Sequence, residues 1–406
     1  MRKPDISPGT SFVNYRWPEL KLRILAERYD DDGHAELSFF SHNGTDEVLL
    51  DRNEVKLLSA SSKNAEVKKL ERIRDDVPWD DALTWVTHLT VEIARQGEPV
   101  QAIWPSEEDR LAPSYLLEPL LYLNHPTVIF GDYGSLKSLF GLVVAYVLQL
   151  PYHDNSLGLI TAKESTHCLY SDYEDDPSSF RKRWGAIQRG FGIEAPMPIL
   201  YRRMTTPIAD AVEQLRQIIA DEKIGLLIID SLGPAARGNL NEPEPAIRYH
   251  EALRKLGITS LTLAHCSKDQ FSRKRTIFGS VFFTNLARSV WECRAEQETG
   301  EDEAVISLKH HKANLSRLHP TLGYKFTFTD KTISIAKTDL RDTGLSGELP
   351  LSVRIKGLLR GGAMPVKDIA TTLDANEATT RTAIYRMAKK QNQLIRVGES
   401  WGLREP

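Results

Sequence analysis

Eight consecutive residues have the spacing of a phosphate-binding loop. They read Gly131-Asp132-Tyr133-Gly134-Ser135-Leu136-Lys137-Ser138. An apolar stretch precedes them and a helical pattern follows, which is the context such a loop requires. In such a loop, backbone N–H groups hold phosphate oxygens, Lys137 would reach the terminal phosphates, and the Ser138 hydroxyl would ligate Mg²⁺. The residue types therefore predict an ATP site with Mg²⁺ as its cation.

Leu136 departs from the usual form of this loop, which has glycine at that position. We expect its side chain to narrow the loop or to lower the affinity for nucleotide. The alternative is an ordinary strand-to-helix turn that carries Lys137 and Ser138 by chance.

A second segment, residues 225–229, is continuously apolar and ends in Asp230. Such a run is typical of a strand buried on both faces. Ligands bind at the carboxyl edge of parallel sheets, so Asp230 is predicted to hold Mg²⁺ through water. The alternative is that Asp230 is a turn residue or a helix cap.

A third predicted strand, residues 168–173, is followed by Glu174, Asp175 and Asp176. Because Asp176 precedes a proline, it is predicted to cap a helix, and Glu174 is the candidate for orienting or deprotonating the attacking water. The role of Asp175 stays open. Otherwise, Glu174 is an ordinary surface acid.

These three segments, in this order, resemble the RecA-like ATPases of the RepA-type hexameric replicative helicase group of plasmids and phages. The resemblance covers residues 116–337. It implies an α/β fold with a RecA-like P-loop NTPase core, ATP and Mg²⁺ as cofactors, and a homo-oligomeric ring, with a hexamer expected. It also implies that the strand ending near Glu174 carries the catalytic glutamate.

The resemblance implies roles for further residues of the core. His265 matches the position of the family's γ-phosphate sensor or DNA-coupling residue, although a histidine at a strand end can be purely structural. Lys309, Lys312 and Arg288 are candidates for a cation supplied to the neighbouring subunit's site. If one strand contains both lysines, their odd spacing places them on opposite faces. Alternatively, the lysines blunt a sheet edge.

A basic loop follows His265, and in RecA-like rings the corresponding loop faces single-stranded DNA. Its candidate DNA contacts are Lys268, Phe271, Arg273, Lys274 and Arg275. The cations suit phosphates and Phe271 suits a base. The alternative is a solvated surface loop.

The C-terminal residues resemble a winged helix-turn-helix domain, with helices predicted at 353–359, 366–373 and 378–390 and a terminal hairpin. The third helix of that fold enters the major groove. The candidate contacts are Thr379, Thr380, Arg381, Tyr385 and Arg386. Duplex DNA is thus a possible second ligand, and a protein partner is the alternative.

The pattern of strands and helices predicts that the chain is divided into four parts. Residues 1–105 form an N-terminal accessory domain of strands and helices, with strands at 20–28, 35–41 and 47–50. Residues 106–340 form the ATPase core, with strands at 127–130, 168–173, 226–229, 260–263 and 305–308. Residues 341–350 form a linker, and residues 351–406 form the winged helix. Alternation of strands and helices predicts a mainly parallel sheet.

The bulk composition narrows the class of protein. The 406 residues are 41% hydrophobic and 26% charged, which fits a globular chain, and the net charge of −3 restricts DNA contacts to local patches. Three scattered cysteines and no apolar run long enough to span a bilayer predict a cytoplasmic protein.

The expected function is an ATP-hydrolysing DNA motor, such as a replicative helicase of a mobile element. The alternative is a DNA-binding recombination mediator, loader or defence ATPase that uses ATP as an assembly switch without unwinding.

Overall fold

The computed structural model of the chain describes residues 1–9, 12–29, 33–43, 46–96, 102, 104, 112–151, 155–162, 164–193, 195–267, 275–389 and 391–404. The chain divides into two compact units, Met1–Asp109 with Val212–Gln214 and Arg110–Ala211 with Leu215–Pro406. None of the helices described here combines the length and the apolar character that crossing a bilayer demands.

The first unit contains an antiparallel sheet and two helices. Its strands, which pair in chain order, are β1 (Asp5–Pro8), β2 (Phe12–Trp17), β3 (Leu22–Glu27), β4 (His34–Asn43) and β5 (Asp46–Lys56). The helices that follow are α1 (Ala60–Ile73) and α2 (Trp79–Gln96), and a 3₁₀ turn (Pro18–Leu20) joins β2 to β3. Phe39 meets Trp79 edge to face with ring centroids 5.8 Å apart, which joins the sheet to α2.

The second unit begins with a strand-rich region and a larger sheet. Its strands before residue 340 are β6 (Tyr115–Glu118), β7 (Leu121–Tyr122), β8 (Pro126–Gly131), β9 (Ile160–Thr161), β10 (His167–Asp172), β11 (Leu200–Arg203), β12 (Ile224–Asp230), β13 (Thr259–His265), β14 (Ser289–Glu296), β15 (Glu303–Ala313), β16 (Leu322–Phe328) and β17 (Ile333–Lys337). The helices among them are α3 (Lys137–Gln149), α4 (Pro177–Gly190), α5 (Val212–Asp221), α6 (Leu232–Ala236), α7 (Pro243–Leu256) and α8 (Phe282–Leu286), with a 3₁₀ turn at Ile208–Asp210.

The large sheet has nine strands in the order β11-β10-β12-β13-β8-β14-β15-β16-β17. The first six are parallel, and the last three continue the sheet in antiparallel pairing. The predicted parallel sheet is confirmed, while the strand predicted at 305–308 belongs to the antiparallel extension. Strand β13 lies between β8 and β12 in the sheet. The phosphate loop, which follows β8, is therefore separated by a single strand from Asp230, the last residue of β12.

The central strands are buried because helices cover both faces of the parallel part, which is why β12 is apolar along most of its length. Helix α3 packs on the sheet through a nearly continuous apolar sequence, and its residues from Leu139 to Leu148 are all buried. Its backbone runs close to the strands at Gly141, where a β-carbon would lie 3.3 Å from the side chain of Leu263. This packing fixes the first turn of α3, which carries Lys137 and Ser138.

The segment predicted as a linker is folded as two 3₁₀ helices, Leu340–Asp342 and Gly344–Glu348. Glu348 at the end of the second is largely buried and accepts from Arg294 Nη1 at 2.5 Å and from Lys309 Nζ at 3.4 Å. These ion pairs attach the connection to β14 and β15.

Three helices and a small sheet complete the chain. They are α9 (Leu351–Leu359), β18 (Met364–Pro365), α10 (Val366–Thr372), α11 (Glu377–Lys389), β19 (Leu394–Val397) and β20 (Ser400–Leu403). The sheet order is β18-β20-β19. Its apolar core gathers one or two side chains from each helix and the sheet, including Ile355, Ile369, Ile384, Met387 and Trp401.

Candidate active site

The phosphate loop joins the end of β8 to the start of α3 with two residues in the left-handed region. Gly134 has φ 75°, and Leu136, the residue before the helix, has φ 61° and ψ 18°. This conformation costs a non-glycine residue about 1–2 kcal/mol. The half-buried Leu136 side chain packs against the apolar core, which offsets that cost. Leu136 thus adopts the backbone conformation that favours glycine.

Gly131 lets the loop lie directly against the neighbouring strand. A β-carbon at this position would lie 2.1 Å from the carbonyl oxygen of Cys293 on β14. The Cys293 thiol also donates to Ser135 O at 3.1 Å. Strand β14 therefore supports the loop from one side.

Lys137 lies buried inside the loop. Its Nζ donates to Gly131 O at 3.1 Å, to Asp132 O at 2.7 Å and to Ser135 Oγ at 3.1 Å. Burial lowers the pKa of this ammonium, because removing a charge from water is costly. The cation is held where terminal phosphates would bind, and phosphate oxygens would compensate its charge.

Asp230 is placed beside the first turn of α3. It is 7% exposed and accepts from Tyr170 Oη at 2.7 Å. Burial raises the pKa of this carboxyl, while the nearby hydroxyls of Ser138 and Tyr170 act in the opposite direction. The first turn of α3 and the end of β12 thus lie side by side, and their shared role in one ATP site stays a prediction.

The oxygens of Ser138 and Asp230 suit Mg²⁺, which prefers hard oxygen ligands. A cation would also compensate the buried carboxylate. Among the residues that the structure describes, no cluster of three or more His, Cys, Asp or Glu side chains has metal-binding geometry. Mg²⁺ at nucleotide sites commonly binds one or two protein oxygens together with phosphate and water, and Ser138 and Asp230 are the residues here that would hold it.

Glu174 lies on the turn after β10, near the same edge. Asp172, which is 1% exposed, holds this turn, because its Oδ1 accepts from the backbone N–H of Glu174 at 2.9 Å and of Asp175 at 3.0 Å. The Glu174 Oε1 atom accepts from Ser231 Oγ and lies 3.4 Å from His265 Nε2. The structure thus brings the two predicted residues, Glu174 and His265, together.

The neighbouring acids have structural partners. Asp175 pairs with Arg183. The helix cap predicted at Asp176 is confirmed, since its Oδ1 accepts from Ser178 N at 2.8 Å and from Ser179 N at 3.1 Å. Of the three acids after β10, only Glu174 faces Ser231 and His265.

Arg275 lies against the phosphate loop, where it forms an ion pair with Asp132. The Cys266 thiol donates to the same carboxylate at 2.8 Å. Hydrogen bonding from Cys266 and then from Arg275 lowers the pKa of Asp132. The other predicted contacts of this basic segment, Lys268, Phe271, Arg273 and Lys274, lie outside the described residues.

The three candidate trans-acting cations differ in their surroundings. Lys309 is about two-fifths exposed and pairs with Glu348. Lys312 donates to three carbonyl oxygens at the end of α8, those of Thr284, Asn285 and Ala287. Arg288 is exposed but precedes β14 beside Pro126, at the opposite end of β8 from the phosphate loop. Their roles in trans stay predictions.

Helix α11 exposes most of the predicted groove-facing residues. Thr379, Arg381, Tyr385 and Arg386 are exposed, and Arg381 pairs with Glu377 at 2.7 Å. Thr380 was expected in the same set, but this is wrong. It is fully buried because it lies on the inner face of the helix, and its hydroxyl donates to Asn376 O at 3.0 Å.

Comparison with known proteins identifies relatives of the segment that contains the candidate ATP site. Residues 90–270 match a family described as an AAA domain. This segment contains the phosphate loop, Glu174, Asp230 and His265. The part of the chain that holds the candidate ATP site is thus similar to this family. No curated protein sequence matches the chain. Among solved structures, it is similar to a KaiC-like protein, PH0186, from the hyperthermophilic archaeon Pyrococcus horikoshii OT3, with 15% identity and a TM-score of 0.37 over 55% of this chain and 95% of that one.

Four residues of this candidate site were missed by the reasoning from sequence. Tyr170 and Asp172 are polar residues at the carboxyl end of the buried strand β10, and that position is the signal that could have found them. Ser231 directly follows Asp230. The approach of Cys266 to Asp132 depends on the strand order, which no local pattern reveals.

Proposed function

We propose that the protein is an ATP-hydrolysing motor that acts on DNA, in the manner of the replicative helicases of mobile elements. The observation that carries the hydrolytic part is the convergence of Lys137, Ser138, Asp230 and Glu174 at one edge of the sheet. Asp230 lies beside the Ser138 hydroxyl, and the next residue, Ser231, donates to Glu174.

The roles follow from these positions. Lys137 exchanges its carbonyl partners for the oxygens of the terminal phosphates. Ser138 and Asp230 would hold Mg²⁺, which would supply positive charge opposite the phosphates. Glu174 either accepts a proton from the attacking water or orients that water. His265 lies within hydrogen-bond distance of the Glu174 carboxylate, at 3.4 Å.

DNA is proposed as the partner because the basic segment ends beside the site. Arg275 is the last residue of that segment and forms an ion pair with Asp132 of the phosphate loop. A displacement of the basic segment would therefore displace the phosphate loop as well. Arg381 and Arg386 on α11 provide a second exposed basic surface, proposed to bind duplex DNA in a winged helix.

Assembly into a ring, with a hexamer expected, is part of the proposal. Lys309 is the most suitable of the three cations for a neighbouring site, because it is partly exposed and has a single ion-pair partner among the described residues. Lys312 would first have to leave three carbonyl oxygens.

The first test is ATP turnover by purified protein, with and without single-stranded DNA, for wild type, Lys137→Ala and Glu174→Gln. We expect DNA to stimulate turnover and both substitutions to abolish most of it. Loss of a general base typically lowers the rate by about 10²–10⁴-fold. The Glu174→Gln variant should keep its affinity for ATP, whereas Lys137→Ala should lose it. Wild-type protein that binds ATP without turnover would overturn the proposed hydrolysis.

A strand-displacement assay separates the motor from its main rival. ATP-dependent unwinding supports a helicase. Turnover stimulated by DNA without unwinding supports the mediator, loader or defence ATPase that uses ATP as an assembly switch.

A further inference from the structure

Ser231 occupies the N-cap position of α6 but does not cap that helix. Serine is favoured at this position because its hydroxyl accepts from a backbone N–H in the first turn. Here the Ser231 hydroxyl makes no such bond, and it instead donates to Glu174 Oε1 on the turn that follows β10. Ser231 is 3% exposed, so its hydroxyl is directed at this one carboxylate.

Glu174 is held at two points. Asp172 fixes its backbone N–H at 2.9 Å, and Ser231 fixes one side-chain oxygen. The same oxygen, Oε1, lies 3.4 Å from His265 Nε2. Within the part of the chain that the structure describes, the other oxygen, Oε2, has no hydrogen-bond partner, and the side chain is nearly half exposed.

We infer that Ser231 is a positioning residue that orients Glu174 for hydrolysis. By holding Oε1, the hydroxyl leaves Oε2 directed outward, where it accepts the proton of the attacking water. Without this bond the carboxylate rotates between several orientations, and only a fraction of them are productive. The inference rests on the proposed function, because it assigns a role within the same ATP site.

The test compares Ser231→Ala and Ser231→Thr with wild type by single-turnover ATP hydrolysis and by the affinity for a fluorescent ATP analogue in the presence of Mg²⁺. We expect Ser231→Ala to lower the hydrolysis rate about 10-fold or more, as loss of orientation does, with nucleotide affinity within about twofold of wild type. Ser231→Thr, which keeps the hydroxyl, should restore much of the rate. Thermal unfolding with bound nucleotide confirms that each variant is folded.

Ser179→Ala is the matched control. Ser179 Oγ also donates to a carboxylate of the same turn, Asp176 Oδ2 at 2.7 Å, but Ser179 is only half-buried and its hydroxyl is not bonded to Glu174. Its removal should leave turnover nearly unchanged.

Three outcomes would overturn the inference. One is an unchanged rate in Ser231→Ala. A second is loss of nucleotide affinity together with rate, which would mean that Ser231 supports Asp230 or the fold instead. The third is a folded Ser231→Thr variant as slow as Ser231→Ala. An inactive wild-type protein would instead overturn the proposed function, and with it this inference.

Discussion

At Gly131, the close approach of two backbones makes a side chain costly. The β-carbon of an alanine at this position would overlap Cys293 O. That oxygen is a backbone atom of a central strand, so it has little room to move. Gly131→Ala should therefore destabilise the protein by about 3 kcal/mol, at the upper end for an overpacked interior. The measurement is the free energy of unfolding in urea.

Gly134→Ala is the control within the same loop. A β-carbon there meets no atom within 4 Å, and the cost comes only from its φ of 75°. This conformation costs alanine about 1 kcal/mol relative to glycine. Equal losses in the two variants would contradict the predicted clash between the new side chain at position 131 and β14.

The individual residues also show where reasoning from sequence stops. Lys137, Ser138 and Asp230 could be predicted because each sits at a fixed distance from an apolar strand. The contacts of Ser231 with Glu174 and of Arg275 with Asp132 join residues 57 and 143 positions apart. Only the order of strands in the sheet brings them together, and local periodicity does not encode that order.

At the scale of elements, the start of α4 depends on the Asp176 cap. Its hydrogen bonds to Ser179 and Ser178 lower the pKa of Asp176 to about 2. Because the folded-state pKa lies below the ordinary value of 3.8, the charged cap stabilises the fold at neutral pH and this contribution is lost as the pH falls from about 4 toward 2. Asp176→Ala should lower the urea unfolding midpoint at pH 7, and the gap to wild type should narrow as the pH approaches 3.

Asp176→Asn separates the cap from its charge, because asparagine is an equally good N-cap. It should lose less stability than Asp176→Ala at pH 7. A gap between wild type and Asp176→Ala that stays constant from pH 7 to pH 3 would contradict the assignment.

The short helix α8 is held by Lys312, whose ammonium binds the carbonyls of Thr284, Asn285 and Ala287. A helix this short depends on such tertiary contacts. Lys312→Ala removes all three bonds, two of which are to partly buried carbonyls, those of Thr284 and Ala287, and should destabilise the protein by about 1–3 kcal/mol. The free energy of unfolding in urea tests this.

Lys309→Ala provides the comparison for Lys312. Its ion pair with Glu348 is partly exposed, so we expect a loss of no more than about 1 kcal/mol. If Lys309 acts in a neighbouring site, its removal lowers ATP turnover in the assembled protein without a matching loss of stability. Similar stability losses for both lysines would contradict the structural role of Lys312.

Across the whole molecule, the proposed DNA binding depends on local basic surfaces, because the net charge of −3 gives no general attraction to phosphates. Arg381 and Arg386 are both exposed on α11. Each phosphate contact releases counterions, so the logarithm of the binding constant falls with the logarithm of salt concentration by about 0.9 per contact. If both arginines contact phosphates, Arg381→Ala combined with Arg386→Ala should weaken duplex DNA binding and make the slope shallower by about 2.

Arg72→Ala is the matched control, since Arg72 is an exposed arginine on α1 of the first unit. It should leave both the affinity and the salt slope unchanged, because it removes the same charge from a different surface. A slope that falls equally in both variants would mean that the interaction is diffuse attraction and not a defined interface. Absence of DNA binding even at low salt would favour a protein partner for the C-terminal helices, since phosphate contacts are strongest under that condition.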